Sequence, residues 1–280
     1  MHKGAYVWGV LAIVGVAAVS VFLFVGMPHA ASAPAQDSGP LPVLTEGIQL
    51  DVAQKRPPLA QEQEAAINAL ATSDSGTEAR PDPMQMAHFG ALPEEALSDA
   101  EQVQLKQQVD VATAAVAGLD TPAEAARMGY TQASRELRGI GSHWVNWTLI
   151  DKPFDPAQPA MLLYATIGGV QKLVGYSYFI KSDTEPAGFA GPNDMWHKHG
   201  SICLLNGWLV SEGEDKDACP GTWLYASKLW MMHAWVNPEF KNPWGLFGMM
   251  NPLVCPDTLE CEEFKEPSKT MQQMQHEQTH

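Results

Sequence analysis

The chain has 280 residues, 32 acidic against 17 basic, and a formal net charge of −15. That length accommodates one or two domains. So acidic a surface repels phosphate, which excludes nucleic acid as a partner and argues against docking on anionic lipid head groups.

Residues 5–27, AYVWGVLAIVGVAAVSVFLFVGM, carry no charge, and a helix of that length covers a bilayer. Lys3 precedes the segment and Asp37 is the next charge. The positive-inside rule therefore places everything beyond residue 30 outside the cytoplasm. The apolar run exceeds the roughly 7–15 residues of a signal-peptide core, which favours a retained single-pass anchor. Ala33-Pro34-Ala35 nevertheless fits a small-x-small cleavage site. The expected partition is a transmembrane anchor or signal segment over 1–30 and a location in the cell envelope. The domain is then held at the inner membrane facing the periplasm, or secreted if the segment is removed.

Residues 31–95 are rich in Pro, Ala and Gln without a sustained apolar period and read as a disordered tether, with a short helix over 61–70. A globular domain is expected over 96–261. Ser98-Asp-Ala-Glu101 is a capping box that starts a helix ending near Gly118. Thr121-Pro-Ala-Glu124 starts a second helix, with Pro122 at its first position and Gly129 stopping it. After Gly141 the chain turns aromatic and β-branched. The stretches 143–150, 161–167 and 170–180 read as strands, the last two joined at Gly168-Gly169 as a hairpin. Residues 200–210 and 223–236 are further strand candidates, the second also compatible with a helix. The expected fold class is α+β: N-terminal helices, then a mostly antiparallel sheet with long loops. Residues 262–280 read as a disordered polar tail.

The four cysteines, Cys203, Cys219, Cys255 and Cys261, suggest two disulfides in an oxidising compartment. Of the three possible pairings, the short loops Cys203–Cys219 and Cys255–Cys261 are plausible ones. No phosphate loop, dinucleotide fingerprint, HExxH or GxSxG motif is present.

The strongest chemical signal is Asp194-Met-Trp-His197-Lys-His199. In an extended chain, residues two apart point the same way, so His197 and His199 can converge on one metal ion. On a helix they would not. Cys203 shares their parity if Gly200 does not interrupt the strand. His143 and His233 lie in apolar, strand-like contexts, where a buried imidazole needs a hydrogen bond or a ligand. Asp194 or Asn146 would orient a ring from behind. Methionine and histidine also cluster at 84–88, 231–233 and 271–276, and that donor mixture suits copper, with zinc as the alternative for a purely imidazole site. Met231, Met232, Met249 and Met250 are better read as core packing.

Residues 126–130 (AARMGY from Ala125), His143-Trp-Val-Asn146, Trp196-His197-x-His199 with Cys203, His233-Ala-Trp-Val and Asn251-Pro252 with Cys255 together resemble an uncharacterised family of secreted bacterial proteins. The resemblance spans about 120–256. It implies a single domain with shared His and Cys positions and brings no activity. Three functions compete on these residues. The first is a membrane-tethered, extracytoplasmic metal-binding domain, copper being the expected ion, acting in metal handling or alongside a membrane protein complex. The second is a metal-dependent hydrolase or oxidase using the His cluster. The third is a non-catalytic, disulfide-stabilised interaction module of the envelope.

Overall fold

A computed structural model describes residues 46–72, 94–213, 216–225 and 228–261. The expected anchor at 1–30, the tail at 262–280 and the Met/His clusters at 84–88 and 271–276 lie outside the described residues. Among the described residues four helices come first: α1 (Glu46–Lys55), α2 (Gln61–Thr72), α3 (Asp99–Ala115) and α4 (Pro122–Arg127). Nine strands follow: β1 (Thr131–Gln132), β2 (Ser142–Val145), β3 (Met161–Ile167), β4 (Val170–Lys181), β5 (His197–Lys198), β6 (Ile202–Leu205), β7 (Trp208–Glu212), β8 (Thr222–Leu224) and β9 (Leu229–Ala234). They form a six-stranded sheet in the order β1-β2-β3-β4-β9-β5 and a three-stranded sheet in the order β7-β6-β8. Every pairing is antiparallel. The α+β expectation holds at this level, with both disulfides formed, Cys203–Cys219 and Cys255–Cys261.

Both capping boxes form. Glu101 N–H donates to Ser98 Oγ while the Glu101 carboxylate accepts from Ser98 N–H, and Thr121 and Glu124 repeat the arrangement. Gly118 and Gly129 follow their helices at φ +82° and +86°, a left-handed backbone that a Cβ disfavours.

The helices α3 and α4 cover one face of the large sheet. Ala112, Val116 and Ala125 pack there against Leu162, Tyr164, Tyr176, Tyr178 and Met232. The small sheet and α2 cover the other face, where Ile67, Leu70, Ile202, Leu204 and Leu224 meet Val145, Met161, Phe179 and Met231.

Three expectations need correction. The stretch 143–150 is not one strand, because Asn146 ends β2 and its side chain caps a 3-10 turn over Trp147–Leu149. The stretch 200–210 is not one strand either. Asn206 and Gly207 both take positive φ, 51° and 70°, and fold it into the β6–β7 hairpin. An Asn-Gly pair is the sequence signal for that two-residue turn. Finally, residues 31–95 are not all a disordered tether, since α1 and α2 dock on the domain through buried amides. Gln63, 2% exposed, donates to Asn146 Oδ1 at 3.0 Å and accepts from Trp147 N–H at 2.7 Å. Gln49 accepts from Trp208 Nε1 at 2.6 Å.

Gln63→Ala removes both partners of a buried loop and leaves polar groups unsatisfied. It should destabilise the domain by roughly 2–3 kcal/mol in urea unfolding, with α2 becoming sensitive to proteolysis. Gln61→Ala, on the exposed face of the same helix, should leave both readings at the wild-type value.

Candidate metal centre

The four histidines singled out by the sequence come together. His143 lies on β2, His233 on β9 and His197 on β5, with His199 one residue beyond β5. Their rings form a row: 5.7 Å from His143 to His233, 5.5 Å from His233 to His197 and 5.2 Å from His197 to His199, centroid to centroid. Two strands separate β2 from β9, so on a flat sheet these strands would lie roughly 14 Å apart. The short ring distance therefore requires a sheet curled around this face. The bulge between Leu163 and Tyr164 supplies local twist and bend.

Each ring makes a hydrogen bond through Nδ1. His233 meets the Met249 carbonyl at 2.6 Å and His197 the Met195 carbonyl at 3.2 Å. A carbonyl only accepts, so in both neutral rings Nδ1 carries the proton and Nε2 the lone pair. His199 Nδ1 donates to the Glu212 carboxylate at 3.3 Å. His143 meets Ser134 Oγ at 3.1 Å. That hydroxyl also lies 3.0 Å from the Arg135 carbonyl and accepts from His143 backbone N–H, and its single proton can serve either the carbonyl or the ring. The tautomer is thus set for the neutral rings of His197 and His233, and all four Nε2 atoms are shielded from solvent. His197 and His233 are the inner pair, 3% and 1% exposed. His233 Nε2 has no hydrogen-bond partner among the described residues.

The residues expected to orient the rings stand elsewhere. The Asn146 side chain accepts from Gln63 and Thr148 and donates to the Met128 carbonyl, which ties α2 and α4 to the sheet. Asp194 accepts from Phe189 N–H and rests against Gly188, where a Cβ would lie 1.7 Å from its Oδ2. The partners actually present are Ser134, Glu212 and two backbone carbonyls. Ser134 and Glu212 are distant in sequence from the rings they meet, and a carbonyl leaves no mark in a sequence. Cys203 is closed in its disulfide, and Gly200 separates β5 from β6, so the parity relating it to His199 does not apply. Met231, Met232 and Met250 pack in the core as expected.

Among the described residues no group of three or more His, Cys, Asp or Glu side chains stands in a geometry that could hold a metal ion. The rings are neighbours in pairs. No helix among the described residues is long and apolar enough to cross a membrane. No family model matches the chain, and no curated protein or solved structure shows significant similarity to it.

Buried His233 and half-buried Asp194 make opposite contributions to pH dependence. Burial pushes His233 down to about 4, with the Met249 hydrogen bond opposing and His199 adding to the shift. An unfolded histidine titrates near ~6.5, so the stability that neutral His233 contributes is present above that value and lost as pH falls towards 4. Burial raises Asp194 to about 7, with the Phe189 hydrogen bond opposing and the Glu185 charge adding. Its ionised form is disfavoured in the fold, so this penalty is absent in acid and grows as pH rises from about 4 to 7. The two overlap, and only variants separate them. Asp194→Asn should raise the urea midpoint at pH 8 and leave it unchanged at pH 4. The stability advantage of wild type over His233→Gln should shrink by roughly 3 kcal/mol between pH 7 and pH 4. A constant difference would mean that His233 is protonated or solvated in the fold.

Proposed function

We propose that this chain is a metal-binding domain whose ion sits among the imidazoles of His143, His233, His197 and His199. The observation that carries the reading is the shared orientation of the four rings, with Nδ1 engaged by the protein and Nε2 buried. Metal-ligating histidines are held in this way, with the remote nitrogen donating to a carbonyl or carboxylate. The neighbour distances support it too. Two imidazoles sharing one ion through Nε2 at about 2.0–2.1 Å hold their centres roughly 5–6 Å apart. Since only pairs are so spaced, a third ligand reaches the ion by side-chain movement on binding. His197 and His233, inner in the row, are the central pair.

Copper is the first choice, on the Met/His clusters of the sequence, and zinc the alternative, since the donors in the row are all imidazole. Placement outside the cytoplasm is supported by the two disulfides and by the charge-free segment 5–27. The role is metal handling at the envelope, with a membrane protein complex as the expected client. A metal-free reading is favoured by one observation, the lack of any group of three: the row is then a hydrogen-bonded part of the core in a disulfide-stabilised interaction module.

Elemental analysis separates the two. The full-length protein, purified without a metal-chelating tag, should carry near-stoichiometric copper or zinc. The His197→Ala/His199→Ala variant should lose it while keeping its far-UV circular dichroism. Wild type free of metal, and unmoved in Tm by added copper or zinc, would leave the interaction module as the function.

A further inference from the structure

The residues just before α3 form a strap held down on two loops. Asn193 accepts from Glu95 N–H at 2.8 Å and donates to the Glu95 carbonyl at 3.0 Å, so its amide ties the strap as a neighbouring strand would. Leu97 packs on Gly191 and Glu94 on Gly245, so closely that a Cβ at either glycine would collide with the side chain above it. Both glycines also take positive φ, +98° and +102°, a conformation that a side chain disfavours. Farther along α3, Gln108 accepts from Ala190 N–H at 2.7 Å. The third piece, residues 245–247, is fixed to the end of the large sheet, where Trp235 N–H donates to the Leu246 carbonyl at 2.9 Å. The strap and both loops are therefore set relative to one another by the fold.

Between them lies a cavity of about 300 Å³, the low end of the range for small-molecule sites. Leu97, Leu105, Leu246 and Phe247 give it an apolar wall. Its polar lining is one-sided. The Asn193 amide is spent on the Glu95 backbone, and Gln102 Nε2 donates to the Leu97 carbonyl at 3.0 Å. The charged groups that remain are the exposed carboxylates of Glu94 and Glu95, neither of them in an ion pair among the described residues. Among the described residues no Lys, Arg or His lines the cavity. The nearby end of α3 offers an anion no compensation, because its first turn carries Asp99 and Glu101. An anion is repelled here, in a chain whose net charge is already −15. A cation with an apolar body meets both the wall and the rim.

We infer that this cavity binds a small organic cation, an ammonium on a short apolar body. The apolar body lies against Leu97, Leu105, Leu246 and Phe247, and the charged head meets the Glu94 and Glu95 carboxylates at the rim. Because those carboxylates are exposed, their attraction is screened by water and salt. The contact with the apolar wall supplies the rest of the affinity, so neither half of the ligand suffices alone. The site is separate from the histidine row and stands or falls independently of the metal-binding reading.

The test titrates the full-length protein with benzylammonium, and with benzyl alcohol as its neutral counterpart, by saturation-transfer NMR. Wild type should bind benzylammonium saturably and benzyl alcohol roughly tenfold more weakly, and added salt should narrow that gap. Glu94→Gln/Glu95→Gln should weaken benzylammonium roughly fivefold or more, the loss of two exposed charge contacts, and leave benzyl alcohol unchanged. Gln102→Trp, at an exposed position on the cavity wall, should fill the space and abolish binding of both. Glu62→Gln/Asp151→Asn removes the same charge from exposed positions elsewhere and should behave as wild type. All these positions are exposed, so the variants should keep the wild-type Tm. No saturable binding to wild type, equal affinity for the alcohol, or benzylammonium affinity retained in Glu94→Gln/Glu95→Gln or in Gln102→Trp overturns the inference.

Discussion

The structure is organised by the burial of β4 on both faces. Residues 173–180 of this strand are all buried, with β3 paired along one edge and β9 along the other. A strand in that position needs an apolar layer above and below it, and a single layer of helices supplies only one. The chain meets the requirement with α3 and α4 on one face and with the small sheet and α2 on the other. The second cover is what creates the chemistry. It encloses a face on which histidines from β2, β5 and β9 project, and it withdraws them from water.

Once enclosed, those imidazoles need partners, and irregular backbone provides them. The segment after β9 has little regular structure beyond the 3-10 turn Pro238–Phe240, yet it is pinned by two buried asparagines. Asn242 donates to the Met250 carbonyl and Asn251 to the Phe240 carbonyl, while Trp235 Nε1 donates to the Gly248 carbonyl. These bonds hold the Met249 carbonyl over His233. An irregular loop can be as well determined as a strand when its amides are buried and paired. Here its task is to choose a tautomer. On the opposite side, the loop leading into β5 does the same for His197 through Met195.

Much of the fold could be read directly because its signals are local. The capping boxes at Ser98 and Thr121 and the Gly168-Gly169 hairpin each depend on residues within one turn of chain. The failures have local causes as well. The Asn206-Gly207 turn was present in the sequence, but an apolar run on both sides concealed it inside one apparent strand. Asn146 looked like a partner for His143 because the two are close in sequence. In the fold it faces Gln63 and the start of a 3-10 turn. The docking of α1 and α2 was invisible because it depends on Gln49 and Gln63. A glutamine inside a polar stretch carries no periodicity, and its burial is decided by Trp208 and Trp147, far along the chain.

By itself, the sequence determined the helix-then-sheet order, the helix starts, the central hairpin and the identity of the four histidines, since these follow from side-chain type and spacing over a few residues. It narrowed the disulfides to a few pairings without choosing among them. Only the tertiary structure decided that His143 and His233, on strands separated by two others, lie 5.7 Å apart, and that the Nε2 of each ring is buried. Those outcomes depend on sheet curvature, on strand register and on which backbone carbonyl a loop delivers. All three are set by packing between residues distant in sequence, and no local pattern encodes them.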